Sequence, residues 1–154
     1  MLRYFTAGES HGPCLTAILC GYPANVEVNI DFINKELERR QIGYGRGPRM
    51  KIEKDRAEIT SGIRFGKTMG SPITIVIKNR DWENWQPYMS LTEEGADHGR
   101  DVTLPRPGHG DLAGALKYHQ KDIRNVLERA SARETAARVA IGAFCKLLLN
   151  SFYI

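Results

Sequence analysis

Two histidines of this sequence lie in glycine-containing segments where an imidazole could reach a bound molecule. His11 lies in the run Glu9-Ser-His-Gly12, and His109 closes the run Arg106-Pro-Gly-His109. Glycine lets the backbone turn sharply and approach a ligand closely. The imidazole titrates near neutral pH, so it can deliver or accept a proton under physiological conditions. Both histidines are therefore candidate general acids, although each, taken alone, could equally be a loop histidine with no chemical role.

Two other chemistries for these histidines are disfavoured. Ser10 and His11 are adjacent, and adjacent side chains diverge on a strand or turn, so His11 is a poor base for Ser10 in a hydrolase. A metal site built from His11, His109 and Asp111 lacks the spacing of known metal motifs. We therefore predict no metal site.

A third candidate is the segment Arg129-Ala-Ser-Ala-Arg-Glu-Thr-Ala-Ala-Arg-Val139, which carries three arginines. Ser131 followed three residues later by Glu134 is a capping box, which is typical of a helix N-terminus. The N–H groups and positive dipole end of such a terminus suit a phosphate. The alternative interpretation is a capped surface helix whose arginines are solvated.

The positive charge of the chain is concentrated in one stretch. The net charge is +4, yet residues 39–56 alone contain seven basic side chains against Glu53 and Asp55. Such a patch attracts anions. The anion could be a small phosphorylated substrate, a flavin phosphate or nucleic acid. Nucleic acid is the weaker option because Tyr44 is the only aromatic residue in the stretch.

The composition fits a globular chain with a usable core, since 42% of the residues are hydrophobic and 26% are charged. No apolar run approaches the roughly 20 residues needed to cross a bilayer, and no signal peptide is evident. Cys14, Cys20 and Cys145 lie among apolar neighbours without metal-like spacing. We interpret them as reduced thiols of a cytoplasmic protein.

The hydrophobic pattern predicts strands at 15–20, 58–61 and 72–77, with a turn at 66–70. Residues 82–108 are rich in Trp, Pro, Gly and charge, and we expect them to form long loops.

Two helices are also expected. Asp31 is predicted to cap the first, which carries Phe32, Ile33 and Leu37 on one side and stops at Gly43. The second runs from residue 131 to 151 and is apolar around most of its circumference, which predicts burial between layers. The apolar ending at residues 152–154 would be unusual for a domain and suggests that the natural chain continues.

Taken together, the motifs resemble those of the chorismate synthase family. The chain departs from the family pattern at Gln41-Ile42, where the family often has Arg-Pro, and at Gly110, where alanine is common. It is also less than half as long as family members. The resemblance covers nearly the whole chain and rests on these segments, in family order: Phe5–Gly12, Arg39–Arg46, Ser61-Gly62, Gly70–Ile73, Asn79–Asp81, Arg106–His109 and Glu128–Val139.

The resemblance implies a lyase of aromatic amino acid biosynthesis, in the shikimate pathway. Such enzymes eliminate phosphate from 5-enolpyruvylshikimate 3-phosphate, in a 1,4-anti sense, to form chorismate. They need reduced flavin mononucleotide (FMN), although the reaction has no net redox change. The flavin lends electron density that helps the phosphate to leave. In bifunctional members, NADPH reduces the flavin.

By the same resemblance, His11 would protonate the departing phosphate and His109 would protonate the reduced flavin near N1. Planar guanidinium groups suit the phosphate and carboxylates of the substrate. The implied flavin-binding residues are Arg129, Ala130 and Ser131, the implied nicotinamide-phosphate residues are Arg40 and Arg46, and the implied substrate-binding residues are Ser10, Arg39, Arg49, Arg106 and Arg133.

We therefore predict an α+β fold in which long buried helices are sandwiched between antiparallel sheets, with residues 1–154 forming the N-terminal part of one chorismate synthase domain. A cytoplasmic homotetramer is expected for the full-length protein, with no membrane or nucleic-acid partner. The 154-residue chain alone should be inactive, because later flavin-site residues of the family are absent from it. The alternative is a non-catalytic phosphate- or nucleic-acid-binding module.

Overall fold

The computed structural model describes residues 1–42 and 52–154. Within these ranges the main sheet has four antiparallel strands in the order β1-β2-β6-β3. The fold is α+β, as predicted. The strands are β1 (Arg3–Ala7), β2 (Cys14–Cys20), β3 (Glu58–Ser61), β4 (Ile63–Arg64), β5 (Lys67–Thr68) and β6 (Ile73–Lys78). The α-helices are α1 (Ile30–Gln41), α2 (Asp111–Tyr118), α3 (Arg124–Ala130) and α4 (Thr135–Asn150).

The two central strands form the floor of the core. Every second residue of β2 and β6 is buried, because successive side chains on a strand point to opposite faces. The antiparallel register places these residues opposite one another in three pairs. This burial confirms the strands predicted at 15–20 and 72–77. The pairs are Leu15 with Ile77, Ala17 with Ile75, and Leu19 with Ile73.

Helix α1 begins two residues earlier than expected. Asn29, not Asp31, is its N-cap, and the Asn29 side chain accepts a hydrogen bond of 2.9 Å from the backbone N–H of Phe32. Asp31 lies within the first turn, where its negative charge suits the positive end of the helix dipole. Ile33 and Leu37 are fully buried, as predicted from their spacing.

The predicted capping box does not form at the start of α4. The side chain of Ser131 accepts from the N–H of Arg133 and caps a 3₁₀ turn at residues 132–134. The Glu134 carboxylate does not reach back to Ser131. It accepts instead from the Thr6 hydroxyl at 2.7 Å and from Arg138 Nε at 2.8 Å. The long helix therefore spans 135–150, and its first turn is tied to β1.

Helix α4 packs against the sheet on one side and against α1 on another. Its small buried residues, among them Ala136 and Ala140, allow close approach, and Phe144 is completely buried. Arg138 and Lys146 are exposed, so the helix also has a solvent-facing side. In the described residues the remaining sheet consists only of β4 and β5, so the predicted sandwich of helices between two full sheets is not seen there. The short strand β5 also falls where only a turn was predicted.

The segment 82–108 contains three short 3₁₀ turns and no strand or α-helix, in agreement with the predicted long loops. Beyond it, α2 and α3 pack together as a pair that the hydrophobic pattern did not predict. A Cβ atom at Gly114 of α2 would lie 2.2 Å from Val126 Cγ1 of α3, so the contact requires glycine. No helix in the described part of the chain is long and apolar enough to cross a membrane.

Candidate active site

Helix α3 brings the first and last motifs together. The backbone N–H of Ser10 donates to the Glu128 carbonyl at 3.0 Å. At the end of the helix, Ser131 Oγ lies 3.1 Å from Ser10 Oγ. Ser10 is buried. These contacts place the His11 segment along α3, so residues separated by nearly 120 positions in sequence become neighbours.

His11 is held on two sides. Its Nδ1 lies 2.9 Å from Glu128 Oε2 and 3.0 Å from Oε1, and its backbone N–H donates to Oε2 at 2.9 Å. The imidazole stacks on Trp85 with ring centroids 3.7 Å apart and planes 23° apart. Its side chain is 21% exposed. The ring is thus fixed in position and remains partly accessible to solvent.

Glu128 is a buried carboxylate, 2% exposed. Burial alone would raise its pKa, but hydrogen bonds and charge interaction with His11, together with the hydrogen bond from Arg124, outweigh burial and lower the pKa below its ordinary value. Arg124 NH1 donates to Oε1 at 2.8 Å. Glu128 is therefore ionised at neutral pH and accepts only.

Two arginines lie beside Trp85, the ring that stacks on His11. The guanidinium of Arg100 lies over the rings of both Trp85 and Tyr88, at 4.3 and 4.1 Å from their centroids. Arg124 lies 5.2 Å from the Trp85 centroid and donates through Nε to the Arg100 carbonyl. The aromatic faces attract these cations, so positive charge accumulates beside His11.

His109 has a partner of the same kind. Its Nδ1 lies 2.5 Å from Oδ1 of Asp111, which is completely buried at the start of α2. Arg106 donates to Oδ2 through its backbone N–H and its Nε, at 3.0 and 3.1 Å. Burial would raise the pKa of Asp111, but the hydrogen bonds from Arg106 and His109 outweigh it, and the pKa is lowered. Arg106 Nη2 lies 2.9 Å from His109 Nδ1 and 3.0 Å from His109 Nε2.

The His109 turn also lies next to α3. Gly110 has φ of +71°, which favours glycine, and a Cβ atom there would lie 3.9 Å from Ala130 Cβ. The His11 segment and the His109 turn therefore both lie beside α3 or Ser131, and the Arg129–Val139 segment begins within α3.

Arg129 and Arg39 lie at the surface in different surroundings. Arg129 NH2 donates to the Thr6 carbonyl at 2.9 Å and to the Thr6 hydroxyl at 2.7 Å, and its side chain remains 40% exposed. Arg39 pairs with Glu36 at 2.7 Å, and its side chain is 70% exposed. Arg46 and Arg49, which the resemblance also implicates, lie outside the described residues.

Arg133 and Arg40 are in a buried ionic cluster. Arg133 is 6% exposed, and it donates to the carboxylate of Asp55 and, at 3.0 Å, to Asn79 Oδ1. Its NH2 also lies 3.5 Å from Glu53 Oε2. Arg40 NH2 reaches Asp55 at 3.1 Å. A ligand-binding role for Arg133 would compete with these carboxylates, whereas Arg40 keeps a buried Nε without a hydrogen-bond partner among the described residues.

Asn79 connects this cluster to the His11 segment. Its Nδ2 donates to the Gly12 carbonyl at 2.6 Å and to the Glu9 carbonyl at 3.1 Å. The same side chain accepts from Arg133 through Oδ1. The backbone on both sides of His11 is therefore tied to the buried cluster.

His11, His109 and Asp111 do not come together as three ligands of a metal site in the described residues. Among residues 1–42 and 52–154, no three His, Cys, Asp or Glu side chains are arranged to hold a metal ion. All three cysteines are free and partly buried.

The sequence does not predict the carboxylate that bonds to each histidine. Glu128 belongs to the third motif, but its contact with His11 depends on how α3 packs. Asp111 lies two residues after His109, so that carboxylate–histidine pair has a local signal. Trp85 lies within a segment described only as a loop, and nothing in its spacing indicates that it stacks on His11.

We expect removal of Arg133 to destabilise the fold strongly. Arg133→Ala would remove one buried guanidinium partner from Asp55 and Glu53, at a cost of about 3–5 kcal/mol in the free energy of unfolding. Arg39→Ala, which removes an exposed pair, should cost no more than about 0.5 kcal/mol. Urea denaturation measures both values. Equal, small losses for the two variants would contradict the structural role of Arg133.

We also expect stability to fall in acid through Glu128. Its pKa is lowered in the folded protein, so its contribution is present above the ordinary glutamate pKa and is lost as pH falls through the lowered value. Glu128→Gln cannot titrate, so its free energy of unfolding should decline less over that range. Urea denaturation at a series of acidic pH values tests this. Parallel pH curves for the two proteins would show that Glu128 is not the titrating group.

Comparison with known proteins places these features in a family. The family model described as chorismate synthase matches residues 2–154. A chorismate synthase of Pelobacter propionicus is 64% identical over 154 residues, covering 100% of this chain and 39% of that protein. One of Aquifex aeolicus is 63% identical over 153 residues, covering 99% of this chain and 38% of that protein.

The fold of this chain is also similar to that of a solved structure. The structure titled "Crystal Structure of Chorismate Synthase" superposes with a TM-score of 0.72 at 52% identity, covering 98% of this chain and 35% of that one. The chain thus spans about two fifths of the length of the relatives it matches. With the family model matching nearly every residue, the chain belongs to the chorismate synthase family.

Proposed function

We propose that the protein to which this chain contributes eliminates phosphate from 5-enolpyruvylshikimate 3-phosphate to form chorismate. The observation that carries the proposal is the placement of His11, an imidazole held by the buried carboxylate of Glu128 and stacked on Trp85, with Arg124 and Arg100 beside them. A positioned histidine can act as a general acid toward a phosphate leaving group. In the proposal, His11 delivers a proton to the phosphate as it departs, which favours departure of the leaving group.

The substrate carries a phosphate and two carboxylates, so it needs cationic partners. Arg106, Arg129 and Arg39 each keep part of their side chain exposed. Guanidinium groups bind such anions in a planar, two-pronged manner. We assign substrate contacts first to Arg106 and to Ser10, with Arg39 and Arg49 as further predictions. A contact from Arg133 would compete with the carboxylates of Asp55 and Glu53.

The donor set around His109 fits an anionic planar cofactor such as reduced FMN. An open groove of about 470 Å³ lies beside the turn, and apolar residues including Pro107 and Leu112 line it together with Arg106. Apolar walls with a few charged groups are typical of cofactor sites. When bound, reduced FMN would supply electron density that helps the phosphate leave. His109, Arg129, Ala130 and Ser131, which do not line this groove, are the residues that the family resemblance proposes to hold it.

The orientation of His109 also suits this role. Since the ionised Asp111 accepts only, the proton of a neutral His109 lies on Nδ1. In the proposal, Nε2 is the nitrogen through which His109 would exchange a proton with the cofactor, and the Arg106 guanidinium, 3.0 Å from Nε2, would have to move aside for it. Arg40 and Arg46 remain predictions for a nicotinamide phosphate, and the pairing of Arg40 with Asp55 gives that assignment no support.

Assembly and location follow the family expectation. We propose that residues 1–154 form part of a single chorismate synthase domain, with its helices completed into a sandwich by the second sheet of the family fold. The proposal includes a homotetramer in the cytoplasm, and three free cysteines are compatible with a reducing compartment. The alternative of a phosphate- or nucleic-acid-binding module would give normal ligand binding without turnover.

The function can be tested in a full-length family protein that carries the same residues. His11→Ala and His109→Ala should each slow chorismate formation by about 10²–10⁴-fold, the usual effect of losing a general acid or base. Substrate binding should weaken less, since the arginines supply most of it. Chorismate formation with reduced FMN, measured at saturating substrate, gives the rate.

His98 provides the matched control. It is an exposed histidine between Glu93 and Asp101, so His98→Ala should leave the rate unchanged. Rates within a few-fold of wild type for the His11 and His109 variants would rule out their proposed roles.

A further inference from the structure

Three hydrogen-bond donors of the described residues converge on the Glu128 carboxylate. The backbone N–H of His11 donates to Oε2, Arg124 NH1 donates to Oε1, and Nδ1 of His11 lies within 3.0 Å of both oxygens. An ionised carboxylate has no proton to give. The His11 ring must therefore carry a proton on Nδ1 to form its contact.

The ring plane is fixed by a separate interaction. Trp85 stacks on the imidazole, and its own indole N–H donates to Asp81 Oδ2 at 2.9 Å. Arg100 lies over the same indole. Because Trp85 is held in this way, the stacking fixes the plane of the imidazole, and a half-turn about χ2 would keep that plane but replace Nδ1 by Cδ2 and lose the Glu128 hydrogen bond.

We propose that Glu128 is a positioning residue for His11: it keeps the Nδ1 proton in place and leaves Nε2 as the nitrogen that exchanges a proton with a bound anion. The proposal deepens the function proposed above and rests on it for the identity of that anion alone. Glu128 itself touches no reacting atom in this scheme. Its effect is to select one tautomer and one orientation of the ring.

Glutamine at position 128 gives a sharp test because it is nearly isosteric with glutamate. A glutamine has one accepting oxygen and one donating NH₂ group. The His11 backbone N–H and Arg124 donate to different oxygens, so in either orientation the NH₂ group meets one of these donors and also lies beside Nδ1. The backbone N–H and the guanidinium cannot accept a hydrogen bond, whereas a neutral imidazole can accept at Nδ1. Glu128→Gln should therefore shift His11 toward the tautomer protonated on Nε2.

The ring nitrogens can be observed directly by ¹⁵N-detected imidazole NMR on the 154-residue chain, with His11 assigned by the signal lost in His11→Gln. In the wild type, neutral His11 should show its proton on Nδ1 alone. In Glu128→Gln, at least about half of the Nδ1–H population should move to Nε2–H. Glu134→Gln is the matched control, because Glu134 is a carboxylate that likewise accepts from an arginine. Its partners are Thr6 and Arg138 rather than His11. The Glu134→Gln change should therefore leave the His11 signals unchanged.

The wild-type spectrum alone can overturn the proposal. A neutral His11 ring protonated on Nε2, or an equal mixture of tautomers, would contradict it even if Glu128→Gln failed to fold. So would a folded Glu128→Gln whose His11 signals match those of the wild type.

The activity measurement separates this inference from the proposed function. In a full-length relative with the same residues, the Glu128→Gln change should lower kcat by about 10–100-fold with a much smaller change in KM, because the acid is misoriented while the substrate arginines remain. An intermediate rate in the Glu128→Asp variant, which retains an acceptor-only carboxylate, would support positioning. A shifted tautomer with an unchanged kcat would overturn the acid role of His11 and leave the positioning by Glu128 standing.

Discussion

The burial of the Arg133 guanidinium is the constraint on which the rest of the site depends. A buried cation is costly unless carboxylates and other acceptors surround it. Asp55, Glu53 and Asn79 meet this need, so the start of α4, the segment before β3 and the end of β6 must come together. Asn79 then uses its remaining donors on the carbonyls that flank His11. The position of the candidate acid is in this way set by an ion-pair cluster beneath it.

The two histidines share one arrangement on different elements. Each has its Nδ1 against a carboxylate that is almost completely buried, Glu128 for His11 and Asp111 for His109. Each carboxylate also accepts from an arginine and has a lowered pKa. Such pairs hold a histidine in one orientation, and at His109 the Arg106 guanidinium also lies 3.0 Å from Nε2. The short helix α3 brings them near each other, because it carries Glu128 and its last residue, Ala130, lies against Gly110.

Much of the architecture could be predicted from the sequence because the relevant forces are local. The alternation in β2 and β6 and the spacing of Ile33 and Leu37 indicate buried faces directly. The start of α4 could not be predicted in the same way. Ser131 and Glu134 have capping-box spacing, but Thr6 and Arg138 take the Glu134 carboxylate, and these contacts exist only after β1 has packed against α4.

Among the site residues, too, some can be predicted from the local sequence and others depend on tertiary contacts. His11 and His109 are visible from their glycine-rich surroundings, and the family resemblance adds the arginines. The sequence alone does not show which arginines are exposed and which are buried, whereas the structure does. Arg106 and Arg129 remain partly exposed, while Arg133 and Arg40 are enclosed by acidic partners. Counting positive charge along residues 39–56 therefore overstates what is available to a ligand, since Asp55 pairs with Arg40.

Amide hydrogen exchange in an Arg133→Lys variant tests most directly whether the buried cluster positions the His11 segment. Lysine keeps the charge but loses the planar fork that reaches Asp55 and Asn79 together. We predict that the amides of Ser10 and His11, both bonded to Glu128, will exchange about tenfold or more faster in the variant, corresponding to roughly 1.4 kcal/mol of lost local protection. Amides of the β2–β6 ladder, such as those of Ala17 and Ile75, should change much less. An equal change at both places, or no change at Ser10 and His11, would show that the His11 segment is held independently of Arg133.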